Sequence, residues 1–327
     1  MTDDKPPGSQ LEHWVNIGAT IIAPTTLLGT LLFYFGYVSS REQYAYFGVD
    51  VDTIGLSTQD YIMRSPQPLL VPLLVLTLGG AGLLLTQAAV RGHITSAAAD
   101  AAQEADTAGP GGHAARHLGR IHRVARWSKA FGLAMIIAGV VLLFSYPYLG
   151  NWAYYALVTP LLIAVGTALA AYASRVLQGM QRASPTAKGA GNRVPAQADD
   201  SRIARWTTAV LVYVVIVATI FWATATIAQW SGLGLAEHEA LSFGNLPSVV
   251  LDTRERLFLH DPYVEETVLP PSQGQTFHYR YRGLRLLIEG QDRMFLVPDE
   301  WSASDSTLMV PLDGSVRIQF QFQNQPP

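Results

Sequence analysis

Five stretches of nearly unbroken apolar sequence dominate the chain, at 17–38, 68–90, 130–149, 153–174 and 207–229. A helix rises about 1.5 Å per residue and the hydrocarbon core of a bilayer is about 30 Å thick, so runs of this length predict transmembrane helices. The third and fourth are separated only by Gly150, Asn151 and Trp152. One helix through both would greatly exceed the core, which predicts a hairpin instead. From Gly234 onward the pattern changes to period two, and strands are predicted at Ser248–Asp252, Arg256–His260, Gln275–Tyr281, Leu284–Glu289, Arg293–Val297, Thr307–Val310 and Val316–Phe322. In the run Thr276–Arg282 the polar positions Thr276, His278, Arg280 and Arg282 share one face and Phe277, Tyr279 and Tyr281 the other, as half-buried strands require. The predicted architecture is an α-helical transmembrane bundle of five helices with a C-terminal extracytoplasmic antiparallel β-rich domain over 234–327.

Charge in the connections sets the expected orientation, because an excess of Lys and Arg marks the cytoplasmic side. The 91–129 connection carries Arg91, Arg116, Arg120, Arg123, Arg126 and Lys129, and the 175–206 connection carries Arg175, Arg182, Lys188, Arg193, Arg202 and Arg205. The 39–67 connection has only Arg41 and Arg64, against Glu42, Asp50, Asp52 and Asp60. This alternation predicts a cytoplasmic N-terminal segment over 1–16, two cytoplasmic basic loops, and extracytoplasmic placement of 39–67 and of the C-terminus. The acidic, Pro-containing start MTDDKPPGSQ lacks the basic region of a secretory signal, so the first helix is expected to stay uncleaved.

The 39–67 connection is too apolar for a solvated linker. Tyr44, Tyr46, Phe47, Tyr61 and Met63 supply candidate surface for an outer interface, and docking of this segment on the C-terminal domain is expected. Ser57 and Asp60 are spaced as a capping box for a short helix through Arg64. Asp50 and Asp52 read as turn formers rather than a calcium site, since no dense set of oxygen ligands lies beside them.

Composition narrows the chemistry. Only 14% of residues are charged and 49% are hydrophobic, in keeping with a lipid environment. The absence of Cys excludes disulfides, thiolate zinc sites and cysteine nucleophiles. Residues 231–327 hold thirteen acidic and seven basic side chains, which disfavours nucleic acid as a partner. His238, His260 and His278 are scattered, no catalytic constellation is legible, and no cofactor or metal is expected.

Apart from terminal positions, the spans contain no Asp, Glu, Lys, Arg or His, which disfavours coupled transport. Small residues Thr25 and Gly29 in the first span, and Gly166, Ala170 and Ser174 in the fourth, mark candidate helix-packing faces. In the fifth span Thr208, Val212, Val215, Thr219 and Thr226 form a stripe that would line a pore in a homo-oligomeric channel. Threonine at such positions equally bonds its own helix and packs against a neighbour.

The segments YFGVD, GLSTQDYIMRS, YRGLRLLIEG and MFLVP give the chain a general pattern that resembles uncharacterised multi-pass membrane proteins of high-GC actinobacteria. The resemblance implies placement in a bacterial plasma membrane and transfers no functional residue. The sequence reading is a non-enzymatic scaffold or receptor in contact with membrane lipids and with an extracytoplasmic protein partner; the alternative is the homo-oligomeric channel.

Overall fold

The structure, a computed structural model, describes residues 7–105, 113–149, 152, 154–183, 195–302 and 305–321. Gly150 and Asn151 of the hairpin connector, the middle of both basic connections and Phe322 lie outside the described residues. Among the described residues eight α-helices occur in order: α1 Pro7–Tyr46, α2 Val51–Ile54, α3 Thr58–Arg64, α4 Pro66–Ala105, α5 His113–Phe144, α6 Tyr146–Leu149, α7 Tyr155–Ala183 and α8 Pro195–Leu241. Six strands follow: β1 Ser248–Thr253, β2 Glu265–Val268, β3 Tyr279–Gly290, β4 Arg293–Pro298, β5 Leu308–Pro311 and β6 Val316–Gln321. Five helices contain segments long and apolar enough to cross a membrane, at Ile22–Tyr46, Pro66–Thr86, His122–Phe144, Tyr155–Leu177 and Trp206–Leu241. The predicted five-helix and antiparallel-sheet architecture is present; its individual boundaries differ.

The chain divides into two compact units, one made of 1–71 with 228–327 and the other of 72–227. In the second unit α5 and α7 pack closely. A Cβ on Gly132 would lie 2.8 Å from the Gly166 carbonyl oxygen and the Ala170 nitrogen, and one on Gly166 would lie 2.8 Å from the Gly132 carbonyl oxygen. Glycine at both positions therefore permits backbone-to-backbone approach, the means by which membrane helices associate without a hydrophobic driving force. Pro160, inside α7, has no N–H to offer the Ala156 carbonyl one turn earlier. The Thr226 hydroxyl of α8 donates to that carbonyl at 3.3 Å and to its own Trp222 carbonyl at 3.2 Å.

In the first unit the sheet has the order β5-β4-β3-β1-β6, with β2 also paired to β3 and every pairing antiparallel. Successive side chains of β4 point to opposite faces. Met294 and Leu296 join Val249, Leu251, Tyr281, Leu284 and Val310 in one core, while Phe295 and Val297 join a second core on the other face. The expected strand at Arg256–His260 is instead a loop, where Phe258 has a φ of +52° and the Leu257 N–H donates to the Tyr281 hydroxyl at 2.7 Å. The two strands expected at Gln275–Tyr281 and Leu284–Glu289 are one strand, β3. It continues through Gly283, whose φ of +78° matches a shift in register opposite Val249 and Leu251. A side chain there would also meet the Tyr263 carbonyl oxygen, 2.0 Å from an added Cβ, so glycine permits both the bulge and the contact.

Candidate functional site

The segment following the first span begins inside a helix. α1 continues to Tyr46 and ends in a turn in which the Val49 N–H returns to the Tyr44 carbonyl and Gly48 has a φ of +74°. Asp50 caps α2, its carboxylate accepting from the Asp52 N–H at 3.3 Å. Ser57 and Asp60 form the expected capping box on α3, and the Ser57 hydroxyl and N–H hold the Asp60 carboxyl below its ordinary pKa. Pro66 then opens α4, where its missing N–H costs no helical hydrogen bond.

These short elements deliver their apolar side chains to the second face of the sheet. Tyr44, Phe47, Val49, Val51, Ile54 and Tyr61 share one core with Ala236, Phe243, Leu287, Ile288, Phe295 and Val297. Trp301 meets the Phe47 ring edge-on at 5.4 Å, the Thr307 hydroxyl donates to the Phe47 carbonyl at 2.6 Å, and the Gln291 N–H donates to the Ile54 carbonyl at 3.2 Å. Of the five side chains marked for an outer interface, Tyr44, Phe47 and Tyr61 are buried in this core. Tyr46 and Met63 remain exposed, Met63 at 73%. Burial, with the Asp52 carboxylate as a lesser influence, raises the Tyr61 pKa.

Beside this core lies a polar cavity of about 450 Å³. Its wall is built from the last turns of α1, the junction of α3 with α4, the C-terminal end of α8 and Leu287 of β3. Gln43 and Tyr44, adjacent on α1, each hold one charged group. The Gln43 amide donates to the Glu239 carboxylate at 2.9 Å, and Arg64 donates to the Tyr44 hydroxyl at 2.6 Å while its guanidinium lies 5.5 Å from the centre of the same ring. Among the described residues, Arg64 and Glu239 form no ion pair with each other. Ser40, also in the wall, is 1% exposed and its hydroxyl has no hydrogen-bond partner.

The other sequence-marked residues have local roles. Gly166 and Ala170 meet α5, and Ser174 is half-buried on the same helix. Thr25 bonds the Ile22 carbonyl at 3.0 Å, and a Cβ on Gly29 would meet nothing within 4 Å. On α8, Thr208 is exposed and Val212 and Val215 are half-buried, whereas Thr219 and Thr226 are buried. The Thr219 hydroxyl is 2.9 Å from the carbonyls of both Val215 and Ile216. Among the described residues, His238, His260 and His278 take part in no metal-competent cluster. Sequence reasoning missed the cavity, because Gln43, Arg64 and Glu239 are far apart in the chain and each reads singly as a residue at the end of an apolar run. No protein-family model, curated protein or solved structure matches the chain.

Proposed function

We propose that this chain is a non-enzymatic integral scaffold of a bacterial plasma membrane, anchored by five spans with its N-terminus in the cytoplasm. It presents the 39–67 segment and the C-terminal sheet outside as one binding or assembly surface for a protein partner. The observation that carries this reading is the shared core in which Phe47, Val51 and Ile54 pack with Phe243, Phe295 and Val297. A connection that served only to join two spans would have no use for so many buried apolar side chains. The channel alternative has weaker support, since the hydroxyls of Thr219 and Thr226 are engaged by backbone carbonyls.

The chain has no cysteine of its own, which makes single-cysteine labelling clean. In intact cells an impermeant thiol reagent should label Gly314→Cys and spare Ser184→Cys; the reverse would overturn the orientation. Purified protein in liposomes should conduct no ions. A reproducible wild-type current lost in Thr219→Leu would replace the scaffold with the channel.

A further inference from the structure

We propose that the cavity bordered by Ser40, Gln43, Arg64 and Glu239 binds a compact zwitterion, a primary ammonium joined by a short linker to a phosphate. The volume of about 450 Å³ lies in the range of small-molecule sites. Its lining selects the ligand class by elimination. An apolar ligand would take water from the Arg64 and Glu239 side chains and return no hydrogen bond. A metal cation would find one carboxylate facing a guanidinium, far from the oxygen-rich shell that a hard cation requires. A simple anion would be drawn to Arg64 and repelled by Glu239. A dipolar ligand satisfies both, because each end faces the opposite charge and the formal charges of the two side chains sum to zero.

The geometry also distinguishes between ammonium types. Quaternary ammonium groups are held by cages of aromatic faces. Here the aromatic ring in the cavity wall is Tyr44, and Arg64 already lies 5.5 Å from its centre. A primary ammonium instead donates N–H bonds. The Glu239 carboxylate has acceptor capacity beyond the single bond it takes from Gln43. The phosphate then takes Arg64, whose guanidinium has N–H donors beyond the one it gives to Tyr44.

The position of the cavity suggests where such a ligand is found. Ser39 to Tyr44 fall in the last turns of the Ile22–Tyr46 segment, Pro66 and Gln67 open Pro66–Thr86, and Leu235 and Glu239 lie in the last turns of Trp206–Leu241. Three membrane-length segments thus contribute one end each, which on the five-span reading puts the cavity beyond the hydrocarbon core, on the side of the phospholipid head groups. Phosphoethanolamine has the required chemistry either as the head group of phosphatidylethanolamine or as a free solute.

The test uses the full chain, purified in detergent and stripped of lipid. Native mass spectrometry measures retention of phosphatidylethanolamine against phosphatidylcholine of identical acyl chains, and calorimetry measures binding of free phosphoethanolamine. The ethanolamine lipid should be retained at least about ten-fold over the choline lipid. Glu239→Gln should reduce that preference about ten-fold, Arg64→Gln should reduce retention of both lipids about ten-fold, and Phe320→Ser on the exposed edge strand should leave both intact. Glu239→Gln should not lower the melting temperature of the lipid-free protein, because the amide oxygen it introduces still accepts from Gln43; this separates a ligand role from a structural one. Binding of the free solute as well as the lipid supports the proposal with a soluble source admitted, and binding of the lipid alone supports it with the head group as ligand. Equal retention of the two lipids with no binding of the solute would overturn it, as would full selectivity in Glu239→Gln or undiminished retention in Arg64→Gln. Neither result would alter the labelling pattern that tests the scaffold.

Discussion

Asp252 is fully buried near the C-terminal end of β1, opposite Arg280 on β3 and Arg317 on β6. Arg280 reaches it with two bonds, at 2.8 and 3.1 Å, and Arg317 with two more. Burial by itself would raise the carboxyl pKa; the hydrogen bonds and charges of the two arginines outweigh it and hold the group below its ordinary value. A depressed folded pKa adds stability that is complete above the unfolded value, near 3.9, and is lost as pH falls through the folded value. The melting temperature of the wild type should therefore fall more steeply below about pH 4 than that of Asp252→Asn, measured by calorimetry across that range. At pH 7 Asp252→Asn should cost about 2–3 kcal/mol, the scale of hydrogen bonds to a charged group, since both arginines retain access to water. Glycines give a second contrast at this scale. A Cβ on Gly36 would lie 1.9 Å from the Tyr61 carbonyl oxygen and one on Gly232 would lie 2.0 Å from that of Ser39. Alanine at either position should cost about 1–3 kcal/mol, as overpacking does. Gly29→Ala, with open space around it, should be neutral or stabilising by up to about 1 kcal/mol. Denaturant melts of the three variants check the difference in sign.

Among the elements, α7 and α8 show how a proline is accommodated within a packed helix. Thr226 supplies a donor to the carbonyl that Pro160 leaves without its helical partner, so Thr226→Val should destabilise by about 0.6–1.7 kcal/mol, the measured scale of interhelical hydrogen bonds in membranes. Thr219→Val should cost less, because its hydroxyl bonds only carbonyls of its own helix. Paired thermal melts in one detergent test this order. Hydrophobic run length made all five membrane-length segments legible, alternation made β6 legible, and β1 and β4 showed as short apolar runs of the kind buried on both faces. The ends were harder to read. Gly232 suggests a terminator in sequence, yet α8 passes through it to Leu241 and uses it for close approach to Ser39. β2, reading Glu-Glu-Thr-Val, is short and has no apolar alternation to betray it; it forms through pairing with β3. The false strand at Arg256–His260 has an apolar run of strand length but spends its polar groups on side chains, with Arg256 bound to Glu266 at 2.6 Å and the Leu257 N–H on the Tyr281 hydroxyl.

For the molecule as a whole, the docking of 39–67 was legible because its aromatic residues exceed what a linker can hydrate. The cavity was not, since it exists only where segments distant in sequence meet. If the shared core is as important as its burial implies, residues 235–327 expressed alone should expose the face around Phe295 and Val297, self-associate and melt early. A monomeric fragment whose stability does not change when a 39–67 peptide is added would refute this. The same arrangement imposes an order in time. The first unit is built from 1–71 and 228–327, so the entire stretch Pro72–Ile227 must be synthesised between its two parts. At elongation rates of about 5–20 residues per second, that interval is on the order of ten to thirty seconds. Throughout it Phe47, Val51 and Ile54 have emerged and the strands they will cover have not been made, so the nascent chain offers an apolar, chaperone-binding surface that the finished protein conceals.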